Sequence, residues 1–359
     1  MALRFVDGFE GYGAAAATGA TLETAVKYFW PTSASTVMLL ATGWGGIGLC
    51  LDANTGTGSS GRYLGLTLDA QATWTIGFAF KAPNPLPDFT RHFLSWRSGA
   101  DADANAQITL ALTQGGQFQI IRGVSGTGTI LGTTDKGVKQ GRWYYLELKI
   151  TFDNSAGAVE LRMDGEAWYN QSSLDTTSVA ANSADRIHLS MIGWVGLSCA
   201  IDDLYICDGT GTTCNSFLGP LKVETSAPTA DSTPLQWNAS SGTNHVALID
   251  EVSVAPNTSD YVYETTSADE DRYDVANLAV VTANIQGVQL NAVAALSAAG
   301  SMSLLLPVTS GAATSNGSNI TVNSTTYTGK FRVLEQDPNT NAAWATANVN
   351  AAQIGVKVA

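Results

Sequence analysis

The sequence predicts an all-β protein: a larger antiparallel sandwich first, then a smaller one. Three observations predict it. Apolar and polar residues alternate over many short runs, the period-two pattern of half-buried strands. Clusters of Gly, Asn, Asp and Ser separate the runs, and these residues close tight turns. The 359 residues are 45% hydrophobic, only 14% charged and include 36 Gly. That composition suits short strands and carries too much apolar material for wholesale disorder. At roughly 150 residues per domain, the length also points to two domains.

The strands follow in order. In Tyr63 to Leu68, Leu64, Leu66 and Leu68 alternate with Gly65 and Thr67. Trp74, Ile76, Phe78 and Phe80 form the next apolar face, followed by Ile108, Leu110 and Leu112, then Phe118 and Ile120. The clearest run places Tyr144, Leu146, Leu148, Ile150 and Phe152 on one side, with Glu147, Lys149 and Thr151 on the other. Asp153 to Gly157 turns the chain, and Val159, Leu161 and Met163 return it. Ala200 to Ile206 closes this block, and a helical stripe is hard to find anywhere in it. Thr225 to Pro234 is polar and carries two prolines, so it reads as a linker between domains 1–224 and 235–359. Beyond it, strands are expected at Tyr261–Glu264, Ile285–Ala294, Met302–Val308, Asn319–Asn323, Lys330–Leu334 and Ile354–Val358. Thr309–Ser318 reads as a hairpin tip and Thr346–Gln353 as a short helical turn.

Charge and patterning exclude several function classes. Eighteen basic against 31 acidic residues give a net charge of -13. Such a surface opposes nonspecific nucleic-acid binding and docking on an anionic membrane. The first twelve residues lack a basic stretch followed by an apolar one, so no secretory signal is expected. The most apolar run, Val37 to Leu51, is broken by four glycines and is too short to span a bilayer.

Three segments then carry a resemblance. They are Arg142–Tyr169 with its strand, turn and Asp164-Gly165, the late strand AIDDLYICDGTG at 200–211, and the opening RFVDGFEGY at 4–12. Together they resemble the concanavalin A-like (laminin G-type) jelly roll. The whole chain also resembles a group of tailed-bacteriophage virion proteins, through FLGPLKVET at 217–225 and the tail from Tyr327 to Ala359, with its DP-x-T-x-x-x-W pattern at 337–344. That resemblance implies a structural component of the particle, working by assembly, with tail or fibre association favoured over capsid decoration. It implies other virion proteins as partners, a homo-oligomer with a trimer favoured, and host-surface glycan as a further ligand.

A catalytic constellation is not visible. Retaining glycosidases need two carboxylates about 5–5.5 Å apart. Glu160 shares its face with Arg162, Asp164 and Glu166 flank a turn, and Asp250 and Glu251 would point to opposite faces of a strand. His92, His188 and His245 show no metal-ligand spacing. No phosphate loop accompanies the Gly-rich stretches 56–61 and 123–128. The chain is therefore expected not to be an enzyme, with a carbohydrate-active jelly-roll enzyme as the alternative. No cofactor is expected. Calcium, which many concanavalin A-like domains hold, has Asp101 and Asp103, or Asp202, Asp203 and Asp208, as candidate ligands. Cys207 and Cys214 bracket six residues with two glycines, a spacing that suits a small-loop disulfide under oxidising conditions. Of the tryptophans at 30, 44, 74, 96, 143, 168 and 194, Trp143, together with Tyr145, is assigned to the solvent face of its strand, as a contact surface for glycan, another subunit or a covering loop.

Overall fold

Strand alternation becomes two face-to-face sheets in the first half of the chain. The structure, a computed structural model, describes residues 2–32, 38–52, 63–190, 198–251, 256–279 and 284–359. It divides into two units, one of residues 1–9 and 15–223, the other of 10–14 and 224–359. The first unit runs β1 (Leu3–Asp7), α1 (Gly19–Phe29), β2 (Leu39–Thr42), β3 (Leu49–Asp52), β4 (Tyr63–Gln71), β5 (Thr73–Asn84), β6 (Arg91–Arg97) and β7 (Ala106–Leu112). It continues through β8 (Gln117–Arg122), β9 (Thr129–Gly137), β10 (Trp143–Thr151), β11 (Gly157–Met163), β12 (Glu166–Leu174), β13 (Ala184–Ser190) and β14 (Ser198–Asp208). One sheet has eight strands, ordered β12-β11-β10-β5-β14-β3-β2, with β1 also on β14. The other has six, ordered β4-β13-β6-β7-β8-β9. All pairings in both are antiparallel, as in a jelly-roll sandwich.

The core between them is aromatic. Trp74 on β5 stacks on Trp96 on β6, with centroids 4.9 Å apart and planes 10° from parallel. Phe78, Phe80, Phe93 and Phe118 interlock beside them. Trp74 also donates its indole N–H to the Ala184 carbonyl at 2.8 Å, so a large buried side chain leaves no polar debt.

Helix α1 departs from the all-strand expectation. Leu22, Ala25 and Val26 are buried at helical spacing, and Lys27 pairs with Glu23 one turn earlier at 2.7 Å. The surrounding Ala/Gly/Thr run hides so narrow a stripe.

On the outer face of the eight-stranded sheet, Tyr145 meets the covering segment that was one of the three partners expected for Trp143 and Tyr145. Tyr145 is fully buried, packed on Trp44 and donating its hydroxyl to the Asp203 carbonyl at 3.1 Å, while Trp143 is half-buried. Residues 215–223 lie over this face. Gly219 N–H donates to Glu147 at 2.8 Å, Leu218 N–H to the Tyr205 hydroxyl at 3.0 Å, and Lys149 to Ser216 at 3.1 Å. Arg162 stacks on Phe217. The alternation was read correctly; the covering segment gives no period-two signal.

Tyr205 lies flat across Gly77, where an added Cβ would fall 2.2 Å from its ring. The ring is held by its hydroxyl bond to Glu147 and by Leu218, so it has nowhere to go. Gly77→Ala is expected to destabilise the protein by about 1–3 kcal/mol through overpacking, read as a lower urea midpoint at unchanged slope. A midpoint equal to wild type would mean the covering segment is loosely held.

The second unit contains β15 (Pro228–Leu235), β16 (Asn238–Ala239), β17 (Val262–Tyr263), β18 (Glu270–Val275), β19 (Val288–Ala294) and β20 (Met302–Leu305). Then come β21 (Val308–Ser310), β22 (Ala313–Ser315), β23 (Ile320–Val322), β24 (Thr328–Leu334), α2 (Thr346–Asn350) and β25 (Gln353–Val358). Its main sheet is ordered β15-β18-β25-β20-β23, and β19 pairs with β24 separately. The segment read as a linker, 225–234, is mostly strand β15, paired with β18. It occupies a sheet edge, the one strand position that tolerates prolines and a polar pattern. Leu290, Leu304, Val308, Leu334 and Trp344 build the core. The DP-x-T-x-x-x-W pattern has a structural reason here. The Asp337 carboxylate ties the turn through Asn339 N–H at 2.9 Å and Thr340 at 3.2 Å, and Trp344 fills the core.

Candidate functional site

A polar stripe crosses the outer face of the six-stranded sheet. It follows from alternation on four strands. Leu94 and Trp96 of β6, Ile187 and Leu189 of β13, Leu64 and Leu66 of β4, and Ile108 and Leu110 of β7 fill the core. Their neighbours face the other way. Register aligns Gly65, His188, Ser95 and Thr109 in one row. The adjacent rows hold Thr67, Arg186 and Arg97 on one side, and Tyr63 with Ser190 on the other. A bulge at Phe93 sends its ring to the core and keeps His92 on the outer face, opposite Ala111.

Arg97 organises the stripe. It is 3% exposed. Its Nη1 donates to Asp101 at 2.8 Å, its Nη2 to Asp103 at 2.8 Å, and its Nε to Ser95 at 3.1 Å. Nη2 also lies 2.5 Å from Nδ1 of His188. A guanidinium only donates, so Nδ1 accepts and the imidazole proton sits on Nε2. That Nε2–H is buried and has no partner among the described residues, and neither has Nε2 of His92. The two rings lie 5.7 Å apart, and the Tyr63 ring meets His188 edge-on at 4.3 Å. Burial, then Arg97, then His92 push His188 down to about 3. Burial and Arg97, opposed by Asp103, push His92 down to about 4. Both imidazoles are neutral at pH 7.

Other polar groups of this face are satisfied. Thr109 donates to the Gly123 carbonyl at 2.6 Å, and Gln107 accepts from Ser178 N–H at 2.7 Å. Each orphaned donor or acceptor costs about 1–3 kcal/mol when buried, so the two imidazole atoms are the anomaly of the face.

The remaining sequence candidates fall elsewhere. Asp101 and Asp103, offered for calcium, are engaged by Arg97. Asp202 accepts Trp44 N–H at 2.7 Å, Asp203 accepts Val223 N–H at 2.8 Å, and Asp208 pairs with Arg4. These three buried carboxylates tie loops to β14. No cluster of three or more metal-ligating side chains occurs among the described residues. Cys207 and Cys214 are both buried thiols, and other contacts hold the loop between them. Thr210, for one, donates both its N–H, at 2.7 Å, and its hydroxyl, at 2.6 Å, to Asp208. Glu160 pairs with Arg162 at 2.7 Å, and Asp250 and Glu251 lie in a loop. His245 belongs to the second unit, against Asp271 at 2.6 Å. Trp194 and the Gly-rich stretch 56–61 lie outside the described residues.

Sequence reasoning missed the stripe. Arg186, His188 and Ser190 do alternate visibly, but 91 residues separate Arg97 from His188. Only the β13–β6 pairing brings them together.

No family model and no curated protein matches the chain. Solved structures similar to it include sugar-active proteins. An alginate lyase has 12% identity and a TM-score of 0.42, over 57% of this chain and 96% of its own. A carbohydrate esterase from Shiga toxin-encoding bacteriophage phi24B has 17% identity and a TM-score of 0.38, over 56% and 99%. An endo-beta-1,4-glucuronan lyase from the fungus Trichoderma reesei has 12% identity and a TM-score of 0.37, over 47% and 86%. These neighbours are named as enzymes, and they overturn the expectation that the chain is not one; that expectation is dropped.

Proposed function

We propose that the chain is a carbohydrate-active jelly-roll protein that engages saccharide on the outer face of its six-stranded sheet, at Tyr63, His92, His188 and Arg97. The carrying observation is the pair of buried imidazole Nε2 atoms, without a partner among the described residues, beside a half-buried tyrosine. Both Nε2 atoms are closed to solvent, so in this reading the half-buried Tyr63 ring, edge-on to His188, turns aside as the ligand enters; a sugar oxygen then accepts the His188 Nε2–H, and the Tyr63 ring packs on sugar C–H groups. Arg97 is a positioning residue: it fixes the His188 tautomer through Nδ1. The groups able to move a proton here are the Tyr63 phenol and the neutral imidazoles. Asp101 and Asp103 are held by Arg97, so a two-carboxylate glycosidase arrangement is not part of this reading.

Carriage on a tailed-phage particle, as a homo-oligomer among other virion proteins, belongs to the same proposal. It rests on the resemblance of segments 217–225 and 327–359. Gold-labelled antibody against the chain is expected to decorate particles at the tail tip or fibres, and unlabelled particles would remove the virion part.

For the site, purified wild type, His188→Gln and Tyr63→Ala are compared on a glycan array, with product release followed by reducing-end assay. At least one glycan is expected to bind wild type and to lose tenfold or more in both variants, with circular dichroism unchanged. Equal binding by all three proteins would discard the site.

A further inference from the structure

The charge inventory of the stripe restricts its ligand further. Arg97 is its most buried cation, yet four contacts already occupy its donors: Ser95, Asp101, Asp103 and His188. Two carboxylates oppose that single guanidinium. The next cation along the row is Arg186, whose Nη1 donates to Thr67 at 2.8 Å and whose Nε donates to the Gly99 carbonyl. Asp185 stands beside it, accepting Gly99 N–H at 2.9 Å. Two guanidiniums therefore face three carboxylates on this patch, in a chain of net charge -13. The groups of the stripe without a partner among the described residues are uncharged imidazoles, and the adjoining aromatic is a phenol. An incoming carboxylate would lose its water and meet a net negative surface on which Arg97 and Arg186 are both already engaged; Arg91, whose buried Nε has no partner among the described residues, is in register with the core residue Leu112 and faces away from the stripe. A hydroxyl or acetal oxygen loses far less and matches a neutral N–H donor.

We infer that the stripe selects uncharged, hydroxyl-rich pyranose saccharides and discriminates against uronate and other acidic glycans. This rests on the saccharide-binding reading above. Arg97 then acts as a spacer and tautomer lock between His188 and the two aspartates, and the aspartates act as a filter against anionic sugars.

The test is calorimetric titration of the full chain at pH 7 with two panels. One holds neutral oligosaccharides of glucose, galactose and N-acetylglucosamine; the other holds oligoalginate, oligoglucuronate and sialyl-lactose. A neutral ligand is expected to bind at least tenfold more tightly than any acidic one. Asp103, whose side chain is 69% exposed, is the conservative probe. Asp103→Asn is expected to narrow the neutral-over-acidic preference threefold or more without unfolding the chain. Tight acidic binding that His188→Gln abolishes would overturn the selectivity and keep the site. Binding untouched by both His188→Gln and Tyr63→Ala, or no binding by either panel, would overturn the site itself. A preference unmoved in Asp103→Asn would remove the filter role. Because His188→Gln perturbs a buried bond, the nitrogen resonances of His92 and His188 in wild type give an independent reading. They are expected to shift on addition of a neutral ligand and to stay in place with an acidic one.

Discussion

Replacing Asp271 by alanine is expected to destabilise the second unit by about 3–5 kcal/mol, the usual result of removing one partner from a buried charged network. The carboxylate is fully buried on β18. Its Oδ1 accepts Gln236 N–H at 2.6 Å and Trp237 N–H at 2.8 Å. Its Oδ2 accepts the Tyr273 hydroxyl at 2.9 Å and faces His245 Nδ1 at 2.6 Å. Alanine would leave these groups without the acceptor they share and would open the turn that carries β15 into β16. Asp231 adds a parallel tie by accepting His245 N–H at 3.0 Å and Val246 N–H at 2.6 Å, so the loop does not simply detach. Asp271→Asn keeps the shape but points an amide N–H at donors, and an intermediate loss is expected. Hydrogen exchange of peptides covering 228–275, alongside urea unfolding, separates this unit from the first. A loss below 1 kcal/mol in Asp271→Ala would mean that water satisfies the network, and the assignment of Asp271 as its centre would fall.

The legible part of this protein was the alternation. Leu146, Leu148 and Ile150 are core residues, as their spacing required, and the β10 to β11 hairpin falls where Asp153 to Gly157 placed it. What the pattern could not supply was the identity of the second layer on a strand's outer face. Tyr145 and Glu147 alternate with the core as exposed residues would, yet residues 215–223 bury them. Strand β15 failed for the opposite reason: an edge strand contributes little to the core, so its prolines and polar residues carried no apolar signal. The site was hidden by distance along the chain. His92 and His188 share no local motif, and antiparallel pairing of β13 with β6 makes them neighbours. Asp101 and Asp103, two residues apart, carry the oxygen acceptors that a calcium reading looks for, but the guanidinium of Arg97, at the end of the strand just before them, engages both.

Acidification is expected to weaken the first unit well before its carboxylates titrate. In the folded chain His92 is pushed down to about 4 and His188 to about 3, each by burial first and by Arg97 next. In the unfolded chain both titrate near 6.5. Between 6.5 and the folded values the unfolded state holds more protons, so stability falls as pH falls through that window. Above 6.5 both states carry neutral imidazoles and the contribution is flat. Each histidine gives about 1.4 kcal/mol per pH unit, so the pair gives about 4 kcal/mol between pH 7 and pH 5. The geometry supplies the cause. A proton added to Nδ1 of His188 would set a second donor against Nη2 of Arg97 at 2.5 Å, where only one donor fits. It would also place a cation beside a guanidinium and within reach of His92. Urea unfolding followed by tryptophan fluorescence at pH 7.5, 6.0 and 5.0 reads the effect. His188→Gln, which hydrogen-bonds without titrating, is expected to lower stability at pH 7.5 and to halve the dependence on pH. Stability that stays constant from 7.5 to 5.0, or a slope unchanged by that substitution, would show that the imidazoles reach water in the folded chain, and the neutral donor on which the saccharide site depends would be lost with it.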